Sequence, residues 1–152
     1  MIEEFKVNYT EKEISLIYQK VKEYPWDSVK DLDGWEHGTN KKYLKELCDY
    51  WTTKFDWTKH EAEINKFENY TTNVDGIKIH FIKKKGSSEN SKPLLLMHGW
   101  PGSIIEFLDI IEKLSHPEKF GGDQNDSFDL IVPSLPGFGF SGSPTKPIGP
   151  RK

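Results

Sequence analysis

Cysteine is nearly absent from this chain, where Cys48 stands alone among 152 residues. One thiol cannot build a disulfide framework or a Cys-rich metal knuckle, and it fits a reducing compartment. Long hydrophobic runs are missing as well. No apolar stretch approaches the ~20 residues that a bilayer-spanning helix needs. The opening Met1-Ile2-Glu3-Glu4-Phe5-Lys6 is acidic and lacks the apolar core of a signal peptide. Neither sign of charge dominates, since 21 Lys and Arg face 24 Asp and Glu for a formal net charge of −3. The two signs are interspersed, which excludes a basic face for nucleic acid or anionic lipid. The single lysine cluster, Lys83-Lys84-Lys85, reads as a solvated strand end. These absences predict a soluble, cytoplasmic chain with no membrane anchor and no nucleic-acid partner.

Aromatic side chains are what the chain has in quantity, at 13% with five tryptophans. Two halves differ in texture. Residues 1–68 read as helical and amphipathic. Thr10-x-x-Glu13 is a capping box, followed by Ile14, Ile17, Tyr18 and Val21 at helical spacing. A second helix over about 40–54 places Tyr43, Leu44, Leu47, Tyr50 and Trp51 on one stripe, with Cys48 on the apolar side as a small hydrophobe. A third opens at Thr58-x-x-Glu61 and runs to about Phe67. Trp26 and Trp35 lie in the loop between the first two helices and need a partner surface. None of these helices is long or apolar enough to form a bundle core alone, so they read as a layer wrapped around something else.

Residues 69–152 read as strands and turns. Thr71 to Val74, Asp75-Gly76, then Ile77 to Ile82 form a hairpin with an Asp-Gly turn. The run 93–97 is short, apolar and unalternating, as in a strand buried on both faces. It breaks through His98-Gly99-Trp100-Pro101-Gly102 into a helix capped by Ser103 and Glu106, with Ile104, Ile105, Leu108, Ile111 and Leu114 inward. A second apolar strand, Phe128 to Val132, completes a βαβ unit with a parallel sheet. A strand-to-helix elbow of this kind leaves backbone N–H groups pointing into open space, as in half of an α/β-hydrolase oxyanion hole.

Three other motifs fail on context. Gly137-x-Gly139-x-x-Gly142 matches a dinucleotide fingerprint but runs into Ser143-Pro144-Thr145-Lys146-Pro147, where no helix can open. Gly139-x-Ser141 lacks the final glycine of a nucleophile elbow, so Ser141 reads as a loop hydroxyl. Gly121-Gly122-Asp123 sits between helix end and loop, so Asp123 is not read as a nucleophile. His37, His60, His80 and His116 share no metal-ligand spacing and read as surface or structural. His98 sits at the elbow, where its ring is expected to bond a nearby carbonyl. No metal and no cofactor is expected.

Taken together, His98 to Ser103, Glu106-Phe107 and Pro133-Ser134-Leu135-Pro136-Gly137-Phe138-Gly139-Phe140-Ser141 resemble epoxide hydrolases of the microsomal and juvenile-hormone type. Tyr50-Trp51, Asp56-Trp57, Glu61, Asn65, Phe67 and Ile79 to Ile82 resemble that family's N-terminal region. The resemblance spans about residues 5 to 145. It implies an α/β fold, the N-terminal part of an α/β-hydrolase with a preceding helical wrapping segment, and incomplete. It implies opening of an epoxide by an aspartate, through an ester intermediate, with an apolar small-molecule epoxide as substrate. The N–H of Trp100 is then one oxyanion donor and its indole lines the substrate pocket. His98, Gly99 and Pro101 set the elbow geometry, with a cis Trp100-Pro101 bond.

In relatives the nucleophile, the base with its acid, and two lid tyrosines lie beyond position 152. The expectation is therefore the N-terminal portion of an epoxide hydrolase, inactive alone, with a cut in the Pro-rich stretch at 144–150. The alternatives are half of a split enzyme and a non-catalytic binding module. The unpaired edge of strand 93–97 calls for a second chain or self-association to cover it.

Overall fold

The computed structural model describes residues 1–32 and 34–147. The chain divides into two compact units, one of Met1–Val7 with the chain from Glu61 onward, the other Asn8–His60. This differs from the 68/69 cut read from sequence, because strand Ile2–Phe5 pairs with strand Glu68–Val74, while buried Ile64 and the Asn65 and Asn69 side-chain bonds tie residues 61–67 to the sheet. The last residues of the Pro-rich stretch, 148–150, lie outside the described residues.

The first unit is a mixed sheet of β1 (Ile2–Phe5), β2 (Glu68–Val74), β3 (Ile77–Lys84), β4 (Lys92–Leu95) and β5 (Phe128–Pro133). Its order is β1-β2-β3-β5-β4. The β2–β3 hairpin closes with Val74 opposite Ile77. Asp75 and Gly76 both take positive φ, at 50° and 82°, the geometry for which Asp-Gly is favoured in a two-residue turn. β5 pairs antiparallel with β3 and parallel with β4, as the βαβ reading requires. β1 was not legible in Ile2-Glu3-Glu4-Phe5. It exists because it pairs with β2, from Ile2 opposite Thr72 to Phe5 opposite Asn69. Asn65 then ties down Val7, two residues beyond the strand: its Oδ1 accepts the Val7 N–H at 3.0 Å and its Nδ2 donates to the Val7 carbonyl at 2.8 Å.

The core of this unit holds Val7, Ile64, Phe81, Ile82, Ile104, Ile111, Leu130 and Val132. Two expectations fail here. The run 93–97 is not buried on both faces: β4 is the edge strand and Leu95 is 55% exposed. No described strand lies beyond it, so an apolar strand meets solvent. The helix after the elbow begins as a 3-10 turn, Ile104–Phe107, before α4 proper, Leu108–Ser115. (Helices α1, Glu11–Lys22, and α2, Lys41–Thr53, belong to the other unit, and α3, Trp57–Ile64, crosses the boundary.) A 3-10 turn advances about 120° per residue rather than 100°, which carries Ile105 out of the core stripe to 51% exposure. The lysine cluster is a solvated strand end at Lys83 and Lys85, both exposed, with Lys84 half-buried. Lys84 pairs with Glu112 at 2.9 Å and Lys85 with Asp129 at 2.7 Å. Lys119 and Lys84 together hold the Glu112 carboxyl down to about 2.

The second unit contains α1 (Glu11–Lys22) and α2 (Lys41–Thr53), and its boundary falls within α3 (Trp57–Ile64). Thr10 caps α1 with the full reciprocal box, Glu13 answering to the Thr10 N–H at 2.8 Å. Asn40 caps α2 through the Tyr43 N–H. The cap of α3 is not Thr58 but Asp56, whose Oδ1 accepts both the N–H and the hydroxyl of Thr58. Neither α1 nor α2 has a buried residue. Their facing stripes and the start of α3 line an open apolar cavity of about 650 Å³, walled by Ile17, Tyr18, Leu47, Trp51 and Trp57 among others. Trp26 stacks edge-on against Tyr24 and Trp35 packs beside Tyr43.

Candidate active-site elbow

The elbow starts where β4 runs out. The Leu96 N–H still donates to the Ile131 carbonyl at 2.9 Å, after which the chain leaves the sheet. His98 is the first buried residue beyond it. Its Nε2 accepts the Leu135 N–H at 3.1 Å, and its Nδ1 lies 3.1 Å from the Gly99 carbonyl. A backbone N–H can only donate, so Nε2 carries no proton and Nδ1–H donates to Gly99. Both ring nitrogens are thus committed, which removes His98 from any role as a free base. Its ring meets Phe138 edge-on at 5.6 Å.

Gly99 and Gly102 close the turn, the Gly102 N–H donating to the Gly99 carbonyl at 2.7 Å. Gly102 has no room for a side chain: a Cβ there would collide with the Glu106 carboxylate and stand 3.0 Å from the Gly99 oxygen. Within this turn the Trp100-Pro101 bond is cis. Trp100 is 83% exposed, and its N–H has no partner among the described residues. Ser103 then launches the helix, its N–H held by Glu106 at 3.1 Å and its hydroxyl accepting from Ile105. Leu95, Met97, Trp100 and Ile105, all within five residues of the open N–H along the chain, are exposed apolar side chains.

The rejected motifs have structural employment. Asp123 caps a short 3-10 turn, accepting the Asn125 N–H at 2.8 Å. The Ser141 hydroxyl donates to the Ser134 carbonyl at 2.7 Å and accepts the His80 N–H at 2.9 Å. No helix follows Gly142 among the described residues. No described group of His, Cys, Asp and Glu is placed to hold a metal. No described helix is long and apolar enough to cross a membrane.

His80, which reads as surface or structural, is structural, but its partners are not legible in the sequence. It is completely buried, with Nε2 at 3.0 Å from Asn69 Oδ1 and Nδ1 at 2.9 Å from Ser134 Oγ. Asn69 spends its amide hydrogens on the carbonyls of Ile64 and Phe67, so its oxygen accepts from His80 Nε2–H. Nδ1 is then the acceptor of the Ser134 hydroxyl. Burial, aided by Lys78, pushes the ring's pKa down to about 4. A His alternating with isoleucines in a strand was the one available signal; its partners lie 11 and 54 residues away.

Solved structures give the class. The crystal structure of juvenile hormone epoxide hydrolase from the silkworm Bombyx mori superposes with a TM-score of 0.80 at 26% identity, covering 97% of this chain and 35% of that one. The Aspergillus niger epoxide hydrolase gives 0.74 at 28% identity, over 95% and 37%. The sheet and its elbow are therefore part of an α/β-hydrolase fold. The family model described as epoxide hydrolase N terminus matches residues 2–107, and the chain belongs to that family. Epoxide hydrolase 1 of Sus scrofa is 36% identical over 149 residues, which cover 95% of this chain and 33% of that protein. The chain spans about a third of the length of the curated relatives it matches.

Proposed function

We propose that this chain supplies the oxyanion side of an epoxide hydrolase, the whole enzyme converting an apolar epoxide and water to a vicinal diol. The observation that carries this reading is the unpartnered Trp100 N–H in an exposed turn between β4 and the following helix. In the reaction an aspartate attacks an epoxide carbon and a water then hydrolyses the ester. Negative charge develops on the former carboxylate oxygen, where a fixed backbone donor is most effective. Trp100 N–H is that donor, and loss of one such donor typically costs ~2.7–4 kcal/mol of transition-state stabilisation. The Trp100 indole lines the substrate pocket. His98, Gly99 and Pro101 aim the donor.

Aspartate, water-activating pair and ring-protonating acids come from outside these 152 residues. The open side of β4 is where the rest of the sheet, or a second chain, pairs, and a cytoplasmic setting fits the lone thiol. Styrene oxide hydrolysis tests this. The purified chain should show no turnover above background, and a fusion to the remaining two thirds of a relative should show it. Turnover by the chain alone, abolished by Asp123→Asn, would overturn the reading.

A further inference from the structure

Two neutral histidines grip neighbouring residues of one loop. His80 takes the Ser134 hydroxyl, while His98 takes the N–H of Leu135, the next residue. The same loop offers each histidine an aromatic edge: Phe140 lies 5.1 Å from His80 and Phe138 lies 5.6 Å from His98. β3 holds the loop at both ends, the Ser134 N–H donating to the His80 carbonyl at 2.9 Å and the Gly142 N–H to the Lys78 carbonyl at 2.7 Å. Ser141 closes the ring of contacts by bonding both His80 and Ser134. Gly139 lets the loop fold this tightly, since its φ is 51° and an added Cβ would stand 2.7 Å from Ser134 Oγ.

We propose that His80 and Ser134 are positioning residues for the elbow. By fixing Ser134 they fix the Leu135 N–H, which holds His98 with its proton on Nδ1, which in turn holds the Gly99 carbonyl at the base of the Trp100 turn. The chain of contacts runs from Asn69 in β2 through His80, Ser134, Leu135 and His98 to Gly99, with every donor matched to one acceptor. Reversing either histidine's tautomer would set two donors or two acceptors against each other. The value of this bracing to catalysis rests on the oxyanion reading above; the bracing itself does not.

Nitrogen-detected spectra of the histidine rings and amide hydrogen exchange on the 152-residue chain test it. In the unsubstituted chain His80 should carry its proton on Nε2 and His98 on Nδ1. Ser134→Ala should speed exchange of the Leu135 amide at least tenfold and mix the His98 tautomers. The Leu96 amide, bonded to β5, should keep its protection within about threefold. Opposite tautomers in the unsubstituted chain would overturn the proposal even if Ser134→Ala does not fold. So would a folded Ser134→Ala with Leu135 protection and His98 tautomer unchanged. Either failure leaves Trp100's donor role standing, because that role is judged by turnover of the fused enzyme.

Discussion

The sheet unit and the helical unit solve the problem of ordering a chain in different ways. In the sheet unit the polar groups that burial isolates are matched to one another. His80, Asn69, Ser134 and His98 are all buried and all bonded, and no buried side-chain polar atom among the described residues lacks a partner. The helical unit relies on local devices, with well-made caps at Thr10 and Asn40, yet no residue of α1 or α2 is buried. A network of buried hydrogen bonds specifies one arrangement, because any other leaves an unpaired group at high cost. An amphipathic helix with a good cap specifies only a direction and a sticky face.

The sharpest way to break this comparison is a matched pair of core deletions. Ile111→Ala removes a completely buried side chain and should cost about 2–5 kcal/mol, whereas Leu47→Ala in α2, nearly half exposed, should cost under about 1 kcal/mol. Urea unfolding of both variants checks it, and equal costs would mean that the helical unit has a core after all.

Acid should act mainly on the sheet unit. His80 has its pKa lowered from 6.5 to about 4, so the unfolded chain binds the proton first. Stability is then unaffected above about pH 6.5, falls as the pH drops from there, and levels off near pH 4. The loss amounts to roughly 3 kcal/mol. Comparing His80→Phe with the unsubstituted chain between pH 7 and 4 isolates this slope from the carboxylates, which should leave a flatter profile in the variant.

A smaller effect sharpens the other side. Thr10→Ala removes one half of the α1 capping box and should cost about 1 kcal/mol. Helicity followed by circular dichroism should fall in that variant. The histidine-ring spectra of the sheet unit should not change.

Features written into neighbouring residues were legible. The α1 cap, the extent of α2, the Asp-Gly turn, the break from β4 into the elbow and the cap at Ser103 all depend on residues a few positions apart. Features that depend on distant pairing were not. Ile2 to Phe5 becomes a strand only against Thr72 to Asn69, and His80 becomes a buried brace only once β2 and the loop after β5 close over it. Thr58 reads as the α3 cap, but Asp56 two residues earlier accepts both its N–H and its hydroxyl, a matter of backbone geometry that the spacing to Glu61 does not show.

The sequence by itself determined which segments turn, which cap, and which family's elbow stands at residues 98–103, because those are short-range matters of φ, side-chain reach and apolar spacing. Only the tertiary structure decided that Ile2–Phe5 joins the sheet beside β2 and that two histidines share one loop. Strand order and buried hydrogen-bond partners come from chain segments tens of residues apart, and no local preference encodes them.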